Sequence, residues 1–295
     1  MRQITTLVWV LALTIGVSNP VRAKTLHVVA SFSILADVVK QIGGSSITVK
    51  GLVPADGDPH EFEPTPDDAR ALKEADIAFL SGEGLESWFQ RLANASGFKG
   101  EAVVVSTGID TISMEENGKA VTDPHVWNSA RNVIIWANNI EKALSAASPE
   151  DAAVFRANAK GYAKQLEELD SYARDRIGAV PQEKRKVLTS HDAFGYFSRA
   201  YGVSFLSPIG LSTESEASAG DVARLIDQIK KEGVKVYFIE NSNDPRLVQQ
   251  IATATGAKPG GKLYVESLSS GDGPTRTYTA MFHYNVDQIV AAISK

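Results

Sequence analysis

No proline interrupts the chain between Pro149 and Pro181, and within that span apolar residues recur at helical spacing: Ala152, Phe155, Ala159, Tyr162, Ala163, Leu166, Leu169, Ala173 and Ile177. Ser148-Pro149-Glu150-Asp151 supplies the start signal, a serine cap with proline in the first turn and an acid three residues after the cap. At 1.5 Å per residue, a helix from Pro149 to Ile177 is a rod of roughly 43 Å, longer than one small domain needs. Two helices broken at Gly161 are the plainer alternative. The reading preferred here is one helix over residues 148–178 that joins two domains as a rigid strut.

Both flanks of the rod alternate short β-rich runs with helical ones, the pattern of βα units and parallel sheets. In the first half, strands are expected at Leu26–Phe32, Ile47–Val53, Ile77–Leu80 and Ala102–Val105, with helices at Ile34–Ile42, after Thr65-Pro66, around Leu85–Leu92 and over Val133–Leu144. In the second half, strands are expected at Lys186–Ser190, Val203–Ile209, Val234–Ile239 and Leu263–Val265, and a last helix at Thr277–Ile293. Thr107–Thr122 is polar and aperiodic and reads as a loop over the site. A chain of 295 residues with 43% apolar content can bury two cores. The expected fold is therefore α/β: a lobe over 24–147 and a lobe over 179–295, each with a parallel-type sheet, joined by the long helix around an interlobe cleft.

Residues 1–23 read as a secretory signal peptide: Arg2 gives a basic start, Leu7–Val17 an apolar centre, and Val21 and Ala23 the small residues of a cleavage site. No later run is long enough to span a bilayer. Cysteine is absent, which removes disulfides, thiolate zinc sites and a lipidated cysteine together. The expected location is the periplasm, without a lipid anchor. The formal charge of −5 offers nothing to nucleic acid, so no such partner is expected.

The chemistry sits in three histidines of the five present. His60 lies in Asp58-Pro59-His60-Glu61-Phe62-Glu63-Pro64-Thr65-Pro66, where three prolines stiffen the backbone. His125 closes a second Asp-Pro-His triplet at Asp123-Pro124-His125, and His191 follows the strand at Lys186–Ser190. All three fall in loops after strands, where open α/β sheets place their ligands. Imidazoles on stiff backbone, with no thiolate available, suit zinc and its neighbours. His27, inside a strand, and His283, inside a helix, are expected to pack or face solvent. Spacing does not choose a fourth ligand among Glu61, Glu63, Glu214, Glu240, Glu266 and Asp272. The aspartates of the two triplets are candidates for orienting backbone or imidazole.

Together these motifs resemble the metal-binding cluster of ABC-transporter solute-binding proteins, the group that contains zinc and manganese receptors. The resemblance covers the mature chain: His60–Pro66, Asp123-Pro124-His125-Val126-Trp127, His191-Asp192-Ala193-Phe194-Gly195-Tyr196-Phe197, Leu263-Tyr264-Val265-Glu266-Ser267-Leu268, and the closing Thr277–Asn285. It implies two α/β lobes on one long helix and a metal held by His60, His125, His191 and Glu266. Zinc receptors tend to have His at the third position and many manganese receptors Glu, so His191 favours Zn2+, with Mn2+ as the alternative. The family's fourth position is commonly Asp, and Glu266 is one methylene longer. The long His-rich loop of many zinc receptors is missing from Thr107–Thr122. The implied protein is a monomeric zinc receptor rather than an enzyme, partnered by an ABC membrane permease and by a periplasmic zinc-donating chaperone. The alternatives are a manganese or iron receptor of the same family and a zinc hydrolase. No His-Glu-x-x-His helix supports the hydrolase.

Overall fold

The computed structural model describes residues 25–116, 119–214 and 217–295. The expected signal segment at 1–23 lies outside the described residues. The first half comprises β1 (Leu26–Phe32), α1 (Ser33–Gly43), β2 (Ile47–Val53), α2 (Pro66–Glu74), β3 (Ile77–Leu80), α3 (Phe89–Ser96) and β4 (Glu101–Val104). Its four strands run parallel in the order β2-β1-β3-β4. β1 is apolar along almost its whole length because helices cover both faces of the sheet. α1 turns Ile34, Leu35, Val38, Val39 and Ile42 inward and stops at Gly44, whose φ of 57° favours glycine. α2 begins at a reciprocal cap between Thr65 and Asp68 with Pro66 in the first turn, as the sequence predicts.

After β5 (Ser113–Glu116), β6 (Lys119–Thr122), α4 (Ala130–Ala147) and α5 (Ala152–Gly178), the second half comprises β7 (Lys186–Leu188), α6 (Gly195–Tyr201), β8 (Ser204–Leu206), α7 (Ala219–Glu232), β9 (Val236–Glu240), α8 (Arg246–Thr255), β10 (Lys258–Leu263) and α9 (Tyr278–Ile293). Its sheet is parallel as well, ordered β10-β9-β7-β8. The α/β class expected from the alternation is what the two sheets display.

α5 runs through Gly161 without a break. A glycine in a helix costs about 1 kcal/mol, and the buried stripe of Phe155, Ala159, Tyr162, Leu166, Leu169, Ala173 and Ile177 outweighs it. That stripe packs against α1, α4, α6 and α9. A single hydrophobic core therefore continues from the first sheet along α5 to α9, while a smaller one around Leu188, Leu225, Ile229 and Ile251 fills the space between the second sheet and its outer helices.

Several elements differ from expectation. α5 starts at Ala152 and not at the predicted Ser148 cap: residues 149–151 form a turn, in which Ser148 Oγ donates to the Asp151 carboxylate at 2.9 Å instead of capping the helix. α3 starts at Phe89 instead of near Leu85. The preceding residues are held as a turn, with positive φ at Gly82, Glu83 and Gly84 and the Glu86 carboxylate accepting from the backbone N–H of Ser81 and Gly82. β10 lies at Lys258–Leu263, before the predicted Leu263–Val265, because pairing with β9 decides it and not side-chain pattern. A Cβ on Gly260 would stand 2.6 Å from the Phe238 ring, so the β-poor sequence there serves close approach of strands. Finally, Thr107–Thr122 is not all loop: β5 and β6 pair antiparallel, with Glu116 opposite Lys119. The two residues between them in sequence are Asn117-Gly118, the pair that two-residue hairpins favour.

Candidate metal centre

Each Asp-Pro-His triplet folds back on itself. Asp58 Oδ1 accepts from the backbone N–H of His60 at 2.8 Å, and Asp123 Oδ1 accepts from that of His125 at 2.9 Å. The aspartate thereby closes a turn two residues ahead while proline fixes φ between them. His60 is set further by Trp88, whose Nε1–H donates to the carbonyl of Pro59 at 3.0 Å. His191 leaves β7 beside β9, where the Glu240 carboxylate accepts from the backbone N–H of Ser190 at 2.8 Å and of His191 at 3.2 Å. Glu266 follows β10, and the Trp127 indole N–H donates to the neighbouring Val265 carbonyl at 2.7 Å. The loops after β2, β7 and β10 of the two four-stranded sheets, with the segment after β6 of the two-stranded β5–β6 pair, thus deliver four side chains to one point.

The distances are short. Glu266 Oε1 lies 2.7 Å from His60 Nε2, 3.2 Å from His125 Nε2 and 3.4 Å from His191 Nε2, and the His60 and His125 Nε2 atoms are 3.2 Å apart. Taking one donor atom from each residue, all four lie within 4.8 Å of one another. A tetrahedral zinc with bonds of 2.0–2.1 Å has ligand–ligand edges of about 3.3–3.4 Å, so the cluster needs little adjustment to close on an ion. His125, His191 and Glu266 are fully buried, and His60 is 8% exposed. Among the described residues, the buried His191 Nε2 and Glu266 Oε2 have no hydrogen-bond partner, which is costly unless something else satisfies them.

Behind the rings stands a set of acceptors. Asp123 Oδ1 lies 2.9 Å from His125 Nδ1, and Glu240 Oε2 lies 2.5 Å from His191 Nδ1. Asn243 donates to the same Glu240 oxygen at 2.5 Å. A carboxylate on Nδ1 orients the ring and raises the basicity of Nε2, the arrangement common behind metal-bound histidines. Burial alone would depress the pKa of His191, but Glu240 and Glu266 outweigh it and hold it well above 6.5. Burial likewise opposes the proton on His125, and Asp123 with Glu266 raises its pKa nonetheless. For Glu266, burial pushes upward, while His191 and His60, with hydrogen bonding from His125, hold its carboxyl well below 4.5.

The four predicted residues are brought together, and the alternatives for the fourth are not. Glu61 and Glu63 are exposed. Asp272 is exposed beside Arg276, and Glu214 stands at the mouth of a cavity of about 410 Å³ that reaches His60 between the Glu83–Leu85 turn and Thr122. Glu240 backs a ring instead of facing the cluster, a role that sequence reasoning missed. Its only signal is an acid closing an otherwise apolar strand. His27 and His283 are exposed as expected, the one beside Thr48 Oγ1 at 3.0 Å, the other edge-on to Tyr172.

The family model described as zinc-uptake complex component A, periplasmic, matches residues 28–292. A manganese ABC transporter substrate-binding lipoprotein, PsaA of Streptococcus mitis, is 34% identical over 287 residues, covering 95% of this chain and 93% of that protein. Among solved structures, the periplasmic zinc binding protein TroA from Treponema pallidum superposes with a TM-score of 0.86 at 32% identity, over 92% of this chain and 100% of that one. A Mn-bound periplasmic metal binding protein from Candidatus Liberibacter asiaticus gives a TM-score of 0.81 at 31% identity, over 90% of this chain and 98% of that one. One expectation is overturned by these relatives. The sequence reading has the protein free of a lipid anchor, whereas PsaA and the manganese-binding MntA of Halalkalibacterium halodurans are named lipoproteins. The unanchored reading rests on the absence of cysteine, which bears on one attachment chemistry only.

Proposed function

The chain belongs to the family of metal ABC transporter substrate-binding proteins, and we propose that within it this protein captures one divalent ion, zinc by preference, on His60, His125, His191 and Glu266 and hands it to a membrane permease. The observation that carries the reading is the convergence of three imidazole nitrogens on one buried carboxylate oxygen at 2.7–3.4 Å. A nitrogen-rich set suits zinc, whereas manganese takes more oxygen. The carboxylates of Asp123 and Glu240 keep the rings aimed. The ion is cargo here and nothing reacts on it, in keeping with relatives named as substrate-binding proteins.

A manganese reading has an observation of its own: Glu266 Oε2 is buried without a hydrogen-bond partner among the described residues, so the carboxylate can offer a second oxygen. The two readings separate on the ratio of affinities, because zinc outbinds manganese at most sites in absolute terms. Zinc and manganese titrations of wild type and His191→Glu are expected to give a zinc-over-manganese ratio at least about tenfold larger in wild type, since the variant trades a nitrogen for oxygen. A ratio unchanged or larger in the variant overturns the zinc preference.

A further inference from the structure

The loop that carries His60 is held on two sides, and unequally. On one side Asp56 fastens it to the second half of the chain: its N–H donates to the Leu268 carbonyl at 3.0 Å, and its carboxylate accepts from Ser270 N–H at 3.0 Å, from Ser270 Oγ at 2.6 Å and from Asn241 Nδ2 at 3.1 Å. On the other side one bond among the described residues crosses to the segment after β8: Thr213 Oγ1 donates to Asp58 Oδ2 at 2.8 Å. The other oxygen of that same carboxylate is the acceptor for His60 N–H. Thr213 is equally close to the far side of the centre, because its segment is pinned to the His191 loop by a bridge between His191 and Ile209 and by Asp192 N–H donating to the carbonyls of Ile209 and Gly210.

The cavity that reaches the centre opens at this singly tied side. Leu211, Ser212 and Glu214, the neighbours of Thr213, form one wall, and His60 is the one member of the cluster that lines it. His60 is also the only one of the four with exposed surface. An ion leaving or arriving by this route passes His60 first and must part the walls beside it. Among the described residues, four bonds hold the Asp56 side and one holds the Thr213 side, so on that footing separation there requires the least.

Building on the receptor reading, we infer that the Asp58–Thr213 hydrogen bond is the gate of the metal site: Thr213 is a positioning residue that ties the His60 loop to the His191 loop, and its rupture admits and releases the ion. The bond joins the two halves of the chain at the mouth, which makes it a contact that a permease could relieve by drawing the two loops apart. Neither partner donates to the ion, and the link to His60 runs only through its backbone N–H, so its removal alters the rate of exchange through the mouth without changing the donor set.

The test is the rate at which an excess of chelator strips zinc from the loaded full chain. A hydroxyl bound to a carboxylate is among the stronger neutral-to-charged contacts, so Thr213→Val is expected to speed release about tenfold. Thr213→Ser, which keeps the hydroxyl, is expected to release at the wild-type rate. Thr213→Ala serves the same purpose as valine if the larger side chain disturbs folding, judged by an unchanged melting temperature. Release from the valine and alanine variants at the wild-type rate overturns the gate, as does a serine variant that exchanges as fast as they do. A wild-type chain that takes up no zinc overturns the receptor reading and the gate with it.

Discussion

Replacing Glu266 with alanine lowers zinc affinity by about a hundredfold to a thousandfold, in proportion to one ligand's share of the roughly 10–16 kcal/mol by which four-ligand zinc sites hold their ion. Two features place the effect at the upper end of that range. Among the described residues, Glu266 is the only carboxylate whose oxygen approaches all three Nε2 atoms, and it is fully buried, so water cannot take its place without cost. Glu266→Gln separates charge from shape, since the amide keeps an oxygen in position and removes the anion that neutralises part of the ion's charge. Alanine is expected to be worst and glutamine intermediate. Competition against a chromophoric chelator at pH 7.5 measures both, and a loss under about threefold for alanine would mean that Glu266 is a bystander.

Acid weakens binding as strongly. In the metal-free protein His125 and His191 hold their protons to higher pH than a free imidazole, because Asp123, Glu240 and Glu266 outweigh the burial that opposes them. The ion requires both rings neutral, so it must displace those protons. With two protons displaced, affinity falls by up to about a hundredfold per pH unit once both rings are protonated. The fall is expected to begin above 6.5, the ordinary histidine value, and not at it. Stability follows with a definite sign. Raised histidine values stabilise the metal-free fold below about 6.5 and lose that contribution as pH rises through the folded-state values, whereas the depressed Glu266 value contributes above about 4.5 and is lost as pH falls through its folded-state value. Without metal, these groups contribute most between those limits. With zinc the order reverses, and the rise in melting temperature on adding zinc should be larger at pH 8 than at pH 5.5. Equal increments at the two values would contradict this account.

Much of this was open to reasoning from residues because it rests on local chemistry. The proline-free span with helical spacing declared α5, and alternation declared the two parallel sheets, since each depends on patterns a few residues wide. The Asp-Pro-His triplets likewise carry their turns in three residues. What stayed closed depends on distant segments meeting. Glu240 and Glu266 each end or follow a strand, and only the register of β9 beside β7 and β10 turns one toward the back of His191 and the other toward its face. β10 lies before its predicted span for the same reason: Lys258-Pro259-Gly260-Gly261 has no strand character of its own and is recruited by its neighbour β9. Thr213 sits in a Ser/Glu-rich stretch whose composition says nothing about an acceptor 155 positions away.

The central claim is that three imidazoles and one carboxylate close on a single ion. X-ray absorption at the zinc edge, on protein loaded with one equivalent, reads that shell directly. The account predicts three imidazole nitrogens and one or two oxygens at about 2.0–2.2 Å. A shell dominated by oxygens with fewer than two imidazoles would contradict it.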